Sequence, residues 1–146
     1  MKASTERFVV PAEAEYLVKI RDFSDRYAQR NGLSRKELNS IKISIDEICS
    51  NIVLYAYEGM KRGDIQIEIQ RKDDFIIIHI IDSGVAFDYS TVNAPDLHKY
   101  MEEKRRGGLG LQLVKKLNDE VLYKRVGNRN FLTLRKKIGS KEGARA

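Results

Sequence analysis

The chain has 146 residues, of which 42% are hydrophobic and 33% charged, a balance typical of a globular protein with one core. Its single cysteine excludes an internal disulfide, and its two histidines cannot complete a Cys/His zinc pattern. The formal net charge of +6 suits an acidic partner, although acidic residues are interleaved with the basic ones. We therefore expect one domain over residues 1–146, frayed from about residue 139.

The first residues contain no apolar core of a signal peptide, and no apolar run approaches the length needed to span a membrane. These features predict a cytoplasmic protein that does not bind membranes. The basic charge is distributed and no aromatic-rich strand offers a stacking platform. Direct binding of nucleic acid is therefore not expected.

Two helices are predicted in the N-terminal half of the chain. A short strand at Phe8–Val10 precedes apolar residues that recur at helical spacing between residues 12 and 30. Ser34 and Glu37 form a capping box that opens a second helix, which we expect to end at Gly59. The helical period predicts that this second helix buries Ile41, Ile45, Ile48, Ile52 and Tyr55.

Two β-hairpins are predicted in the rest of the chain. The first joins the alternating segment Ile65–Ile69 to the β-branched segment Phe75–Ile81. The second joins Val121–Val126 to Phe131–Leu134 across the turn signal Gly127–Asn130. This order of elements predicts an α+β fold, a two-layer sandwich in which helices cover one face of a mixed, mainly antiparallel sheet.

A glycine-rich segment separates the two hairpins and runs into a helical pattern. Glycines let backbone N–H groups approach an anion closely, and the first turn of a helix presents unpaired N–H groups whose dipole favours negative charge. The segment therefore predicts a phosphate site, although a tight turn or a helix packing contact is a common alternative. It comprises Arg105, Arg106, Gly107, Gly108, Leu109, Gly110 and Leu111.

Glu47 and Asn51 lie four residues apart on the second predicted helix, at the shoulder of its apolar stripe. An asparagine carbonyl oxygen beside phosphates can ligate Mg²⁺, and a neighbouring carboxylate can accept a proton from a hydroxyl group. A solvated helix pair is the alternative for two such residues. Cys49 is expected to pack in the core rather than to act as a nucleophile.

Asp82 and Gly84 follow the second strand of the first hairpin. A carboxylate at the end of a sheet can accept a hydrogen bond from the exocyclic amine of adenine, and a glycine leaves room for a flat base. An Asp-initiated turn is the alternative, because such turns are common where strands end.

In this order and at these separations, the three segments resemble the nucleotide-binding boxes of the GHKL ATPase and kinase superfamily. Glu-x-x-x-Asn on a helix, Asp-x-Gly after a strand and Gly-Gly-Leu-Gly-Leu before a helix are its signature. The short chain is most similar to the anti-sigma-factor serine/threonine kinases, and the resemblance covers about Phe8 to Lys137.

The resemblance implies the Bergerat ATP-binding fold and a serine/threonine protein kinase that uses ATP and Mg²⁺. Its implied substrate is a STAS-domain anti-sigma-factor antagonist, with a sigma factor as a further partner and a homodimer as the assembly. Glu47 would be the general base, Asn51 the Mg²⁺ ligand and Asp82 the adenine reader, with Gly84 accommodating the base. The glycine-rich segment would hold the phosphates under a lid formed by residues 88–106.

Two positions depart from the family pattern. Tyr55 stands where many members have histidine, and Arg129 and Asn130 stand where the last hairpin often carries Gly-Thr. These departures leave the fine adenine and phosphate contacts open, because Asn130 can replace a threonine hydroxyl only in part.

Three other functions compete with this interpretation. A histidine-kinase catalytic domain is disfavoured because no helix pair with a phosphoacceptor histidine is predicted before residue 35. A nucleotide-responsive protein-binding module without kinase activity is disfavoured by the carboxylate of Glu47. A basic nucleic-acid binder is disfavoured by the dispersed charge.

Overall fold

A computed structural model of the protein describes residues 5–86 and 108–139, with residues 108–110 described by their backbone alone. The described parts of the chain contain three α-helices and a five-stranded sheet. None of the described helices is long and apolar enough to cross a membrane. The strands are β1 (Thr5–Pro11), β2 (Asp64–Lys72), β3 (Phe75–Asp82), β4 (Glu120–Val126) and β5 (Arg129–Lys137), and the helices are α1 (Leu17–Arg30), α2 (Arg35–Asn51) and α3 (Gly108–Leu117).

The sheet has the order β1-β2-β3-β5-β4, and each neighbouring pair among these strands is antiparallel. The predicted α+β sandwich is confirmed, although the described strands form a wholly antiparallel sheet rather than the mixed sheet that was predicted. The register places Asp82 opposite Asn130, and Asn130 opposite Arg125 on its other side. One end of the sheet therefore carries three polar residues side by side on β3, β5 and β4.

The core lies between one face of the sheet and the helices. Alternation along the strands places every second residue of β2 and β3 in this layer, because successive side chains point to opposite faces. Cys49 of α2 is fully buried there, and burial raises the pKa of its thiol, so its predicted packing role is confirmed. The isoleucines of this core are Ile20, Ile41, Ile45, Ile48, Ile52, Ile65, Ile67, Ile69, Ile76, Ile78, Ile80 and Ile138.

The predicted capping box starts α2. The backbone N–H of Glu37 donates to Ser34 Oγ at 3.1 Å, and the backbone N–H of Ser34 donates to Glu37 Oε1 at 2.9 Å. The first helix begins later than predicted, because Ala14–Tyr16 forms a 3₁₀ turn and the α-helix starts at Leu17.

The second helix ends earlier than predicted. After Asn51 the chain forms a π-helical turn, Ile52–Ala56, instead of continuing as an α-helix to Gly59. The wider turn rotates the following side chains relative to the 3.6-residue period. Tyr57 is therefore buried at 5% exposure and Tyr55 is only half-buried, so the prediction that Tyr55 extends the core stripe is wrong.

The strands are longer than predicted, and one difference matters for the site. The second hairpin turns over Gly127 and Asn128 alone, with Gly127 at a φ of 60°. Two residues suffice because a positive φ matches the twist of the flanking strands. Asn130 is consequently a residue of β5 paired with β3, rather than part of the predicted loop.

Candidate nucleotide-binding site

The π-helical turn connects α2, which carries two of the predicted site residues, to the segment at the end of β3, which carries two others. This turn directly follows Asn51, and its last residue, Ala56, accepts a hydrogen bond from the backbone N–H of Val85 at 2.7 Å. The same turn is anchored by Arg62, whose Nη1 donates to the carbonyl oxygens of Val53 and Ala12, each at 2.8 Å. The bond between Val85 and Ala56 thus links the Asp-x-Gly loop to the π-helical turn at the end of α2.

Asn51 is buried at 6% exposure, and its amide is oriented by its own helix. Its Nδ2 donates to the carbonyl oxygen of Glu47 at 2.9 Å. Because the donor end of the amide is engaged, Oδ1 is the atom that can bind a cation. Mg²⁺ prefers oxygen ligands and commonly keeps few protein ligands beside phosphates, so this amide fits the predicted role.

Glu47 and Asn51 line the same cleft, of about 360 Å³, between the end of α2 and the start of α1. Its other walls are Ala14 and Leu17, Ser50 between the two polar residues, and Val53 and Leu54 of the π-helical turn. Partial burial raises the pKa of Glu47, and the adjacent charge of Asp46 raises it further. A carboxylate with a raised pKa is a better base near neutral pH than an exposed one.

Asp82 ends β3 as a buried carboxyl group with 5% exposure. Its Oδ1 accepts hydrogen bonds from the backbone N–H of Gly84 at 2.7 Å and from Asn130 Nδ2 at 2.9 Å. Burial raises the pKa of Asp82, while these two bonds and the charge of Arg125 oppose the shift. The described bonds all end on Oδ1, so Oδ2 is the atom placed to accept a donor from a ligand.

Gly84 is required by packing in this structure. A Cβ added to it would overlap the carbonyl oxygen of Ala56, so the Asp-x-Gly loop and the π-helical turn approach each other at backbone distance. The sequence analysis predicted a glycine requirement here from the space needed by a flat base, not from contact with the backbone of Ala56. Its role in accommodating a base stays a prediction.

The glycine-rich segment opens α3. Gly108, Leu109 and Gly110 form its first turn, where backbone N–H groups lack intrahelical acceptors, and Leu111 is buried at 2% exposure. Asn118, just beyond the C-terminal end of the helix, donates to Ser44 Oγ at 3.0 Å and so ties that end of α3 to α2. Arg105, Arg106, Gly107 and the predicted lid over residues 88–106 lie outside the described residues.

Three residues that the sequence analysis did not assign to the site form a hydrogen-bonded group beside Asp82. Asn130 bonds Asp82 directly, and Asn130 Oδ1 accepts from the Tyr123 hydroxyl at 2.6 Å and from Arg125 Nη1 at 3.0 Å. Asn130 was noticed only as a departure from the family pattern. The signal that could have identified it is its hairpin register, which depends on the length of the turn before it.

The comparisons with known proteins agree with this geometry. Residues 10–136 match the family described as histidine kinase-like ATPase domain. The chain belongs to this family. Asn51, Asp82 and the start of α3 all fall within the matched range, so the histidine kinase-like ATPase domain includes the described parts of the candidate site.

Several curated relatives are named serine-protein kinase RsbW. The protein from Bacillus cereus (strain AH187) is 36% identical over 116 residues, which cover 77% of this chain and 72% of that protein. The protein from Bacillus subtilis (strain 168) is 34% identical over 130 residues, covering 86% and 79%. These similarities class the chain with the serine/threonine protein kinases of the histidine kinase-like ATPase family.

A solved structure supports the fold. A chain of the SiaB-SiaC complex from Pseudomonas aeruginosa superposes with a TM-score of 0.61, at 18% identity, over 91% of this chain and 89% of that chain. At this identity the likeness concerns the fold alone, and it agrees with the two-layer α+β sandwich described above.

Proposed function

We propose that this protein transfers the γ-phosphate of ATP to a serine or threonine of a STAS-domain anti-sigma-factor antagonist in the cytoplasm. We further propose that it binds a sigma factor and acts as a homodimer. The observation that carries the kinase proposal is the placement of Glu47 and Asn51 on one cleft, one helical turn apart. The names of the curated relatives support the choice of a serine-protein kinase.

Each site residue has a chemical role in this proposal. Asp82 Oδ2 accepts a hydrogen bond from the adenine amine, and the first-turn N–H groups of α3 bind phosphate oxygens. Arg105 and Arg106 offset the phosphate charge. Asn51 Oδ1 would hold Mg²⁺, which neutralises the charge on the β- and γ-phosphates when it is bound.

Glu47 completes the reaction as the general base. Its carboxylate accepts the proton of the substrate hydroxyl while that oxygen bonds to the γ-phosphorus and ADP leaves with the electrons of the broken bond. The side chain of Glu47 is only half-buried, so a hydroxyl group of a protein substrate can approach its carboxylate.

A Glu47→Gln variant tests the base role. It keeps the shape of the side chain and removes its basicity, so phosphotransfer to the STAS partner should fall by about 10² to 10⁴-fold. Nucleotide and partner affinities should stay within a few-fold of wild type. Transfer of labelled phosphate from ATP to STAS-domain proteins of the same genome measures the rate, and calorimetry measures both affinities.

Glu58→Gln is the matched control, because Glu58 is exposed and lies beyond the π-helical turn. It should retain the wild-type rate. A Glu47→Gln variant that phosphorylates at that rate would contradict the base role. A wild-type protein that binds ATP and the STAS partner but transfers no phosphate would instead be a nucleotide-responsive binding module.

A further inference from the structure

Asn130 lies in a row of polar residues across three strands at the end of the sheet. It pairs with Asp82 of β3 on one side and with Arg125 of β4 on the other. Asp82 and Asn130 are 5% and 4% exposed, so both side chains must satisfy their hydrogen bonds within the protein or with a bound ligand.

The neighbours of Asn130 fix the orientation of its amide. Arg125 Nη1 can only donate, and it lies 3.0 Å from Asn130 Oδ1. The Tyr123 hydroxyl lies 2.6 Å from the same oxygen and donates to it. An amide turned by 180° would point its NH₂ group at the guanidinium, so Nδ2 has to face Asp82.

Both protons of Nδ2 are then used. One is donated to Asp82 Oδ1 at 2.9 Å and the other to the carbonyl oxygen of Val85, also at 2.9 Å. The amide therefore bridges the carboxylate and the far side of the Asp-x-Gly loop. A threonine hydroxyl, with one proton, could hold only one of these two groups.

The bridge distinguishes the two oxygens of Asp82. Oδ1 receives two donors, Asn130 Nδ2 and the backbone N–H of Gly84 at 2.7 Å. The carboxylate plane is thereby fixed, and Oδ2 is the oxygen left to meet a ligand. An acceptor-only atom in that position rejects another acceptor and selects a donor.

We propose that Asn130, oriented by Tyr123 and Arg125, is the positioning residue that makes Asp82 select a 6-amino purine over a 6-oxo purine. This inference rests on the proposed function of Asp82 as the adenine reader. The exocyclic amine of adenine donates to Oδ2, whereas the O6 atom of inosine or guanosine faces the same oxygen as a second acceptor.

The test compares the dissociation constants of Mg-ATP and Mg-ITP by calorimetry. The two bases differ at position 6, where adenine carries a donating amine and the base of ITP an accepting oxygen. Asn130→Asp keeps the side-chain size but replaces the donor facing Asp82 with an acceptor. It should lower the preference for ATP over ITP by about tenfold or more. Circular dichroism and thermal unfolding establish that the variant is folded.

Tyr123→Phe provides a milder second variant if Asn130→Asp fails to fold. It removes only the hydroxyl that helps to orient the Asn130 amide. The preference for ATP over ITP should fall about threefold, because Arg125 still donates to Asn130 Oδ1. Tyr27→Phe is the matched control. Tyr27 is a buried tyrosine on α1, and its loss of a hydroxyl should leave the ATP/ITP ratio unchanged.

Asp82→Asn separates this inference from the proposed function. If it abolishes the ATP preference while Asn130→Asp and Tyr123→Phe keep the wild-type ratio, Asp82 reads the base and the role of Asn130 is refuted. If Asp82→Asn itself keeps the ratio, adenine reading by Asp82 fails as well. Equal weakening of ATP and ITP by Asn130→Asp would make Asn130 a structural residue and overturn the selectivity role.

Discussion

At the scale of single residues, the site depends on side chains whose donor ends are already engaged. Asn51 uses Nδ2 for the carbonyl oxygen of Glu47, and Asn130 uses Nδ2 for Asp82 and Val85. In each case the described bonds leave one oxygen available as an acceptor: Oδ1 of Asn51 and Oδ2 of Asp82. In the proposed function, the oxygen of Asn51 would bind the cation and that of Asp82 would accept from the adenine amine.

Asn51→Ala should abolish the strengthening of ATP binding by Mg²⁺, because the variant removes the oxygen proposed to ligate the ion. ATP affinity measured by calorimetry with Mg²⁺ and with EDTA gives the effect. Ser50→Ala is the matched control, since Ser50 lines the same cleft and should preserve the enhancement. Undiminished enhancement in Asn51→Ala would exclude this residue as the ligand.

The buried carboxyl group of Asp82 should lower the free energy of unfolding as pH rises. Its pKa is raised in the folded protein above its ordinary value, chiefly by burial, so the native state binds the proton more tightly than the unfolded chain. The favourable contribution is complete below that value and is lost as pH rises through the raised pKa. Asp82→Asn should therefore gain stability relative to wild type as pH increases through this window.

Unfolding in urea between pH 3.5 and 7 measures this difference. Asp22→Asn serves as the control, because it makes the same chemical change at an exposed position of α1. A parallel profile for Asp82→Asn would show that burial of this carboxyl group does not affect the free energy of unfolding. Asp82→Asn would then lose adenine recognition and gain stability at higher pH, a trade-off that is common at functional sites.

At the scale of elements, the π-helical turn connects α2, which carries Glu47 and Asn51, to the loop that follows Asp82. It allows the backbone of Ala56 to reach Gly84, and Val85 bonds to the Ala56 carbonyl at 2.7 Å. Such turns within helices often occur at functional sites. The Tyr57 hydroxyl adds a second link, accepting from the backbone N–H of Ser83 at 2.9 Å and donating to the carbonyl oxygen of Asp64 at 2.7 Å.

Gly84→Ala should lower the free energy of unfolding by about 1–3 kcal/mol, because the new methyl group meets backbone atoms that cannot rotate away. Chemical denaturation measures the change. Ser83→Ala is the control, since Ser83 already carries a Cβ and loses only its hydroxyl group. A Gly84→Ala protein as stable as wild type would mean that the loop can separate from the π-helical turn at no cost.

At the scale of the whole molecule, a nucleotide would contact three separate elements: the end of α2, the loop after β3 and the start of α3. Binding to the native state alone stabilises a protein by about 2.7 kcal/mol at a ligand concentration of 100 Kd. For a chain of this size, that corresponds to a rise in Tm of roughly 5–10 °C. Mg-ATP should produce such a rise.

Differential scanning calorimetry tests this expectation, with Mg-UTP as the control. UTP carries the same triphosphate but lacks the adenine amine, so its shift at equal concentration should be smaller. Asp82→Asn should reduce the ATP shift towards the UTP value. Equal shifts with both nucleotides in the wild-type protein would place the binding energy in the phosphates and remove any role for base recognition.

The sequence by itself determined the elements whose signals are local. The capping box at Ser34 and Glu37 predicted the start of α2, and alternation predicted the hairpin of β2 and β3, because these patterns depend on neighbours within a few residues. The spacing of Glu47 and Asn51 likewise follows from helical geometry. The family match over residues 10–136 confirmed the resemblance drawn from three short motifs.

Only the tertiary structure decided how these motifs meet. The π-helical turn moved Tyr57 into the core in place of Tyr55, which no 3.6-residue period predicts. The two-residue turn at Gly127 placed Asn130 in β5 beside Asp82, although the two residues are 48 positions apart in the chain. Contacts of this kind depend on strand register and on backbone approach between distant segments, so a local pattern of residue types does not contain them.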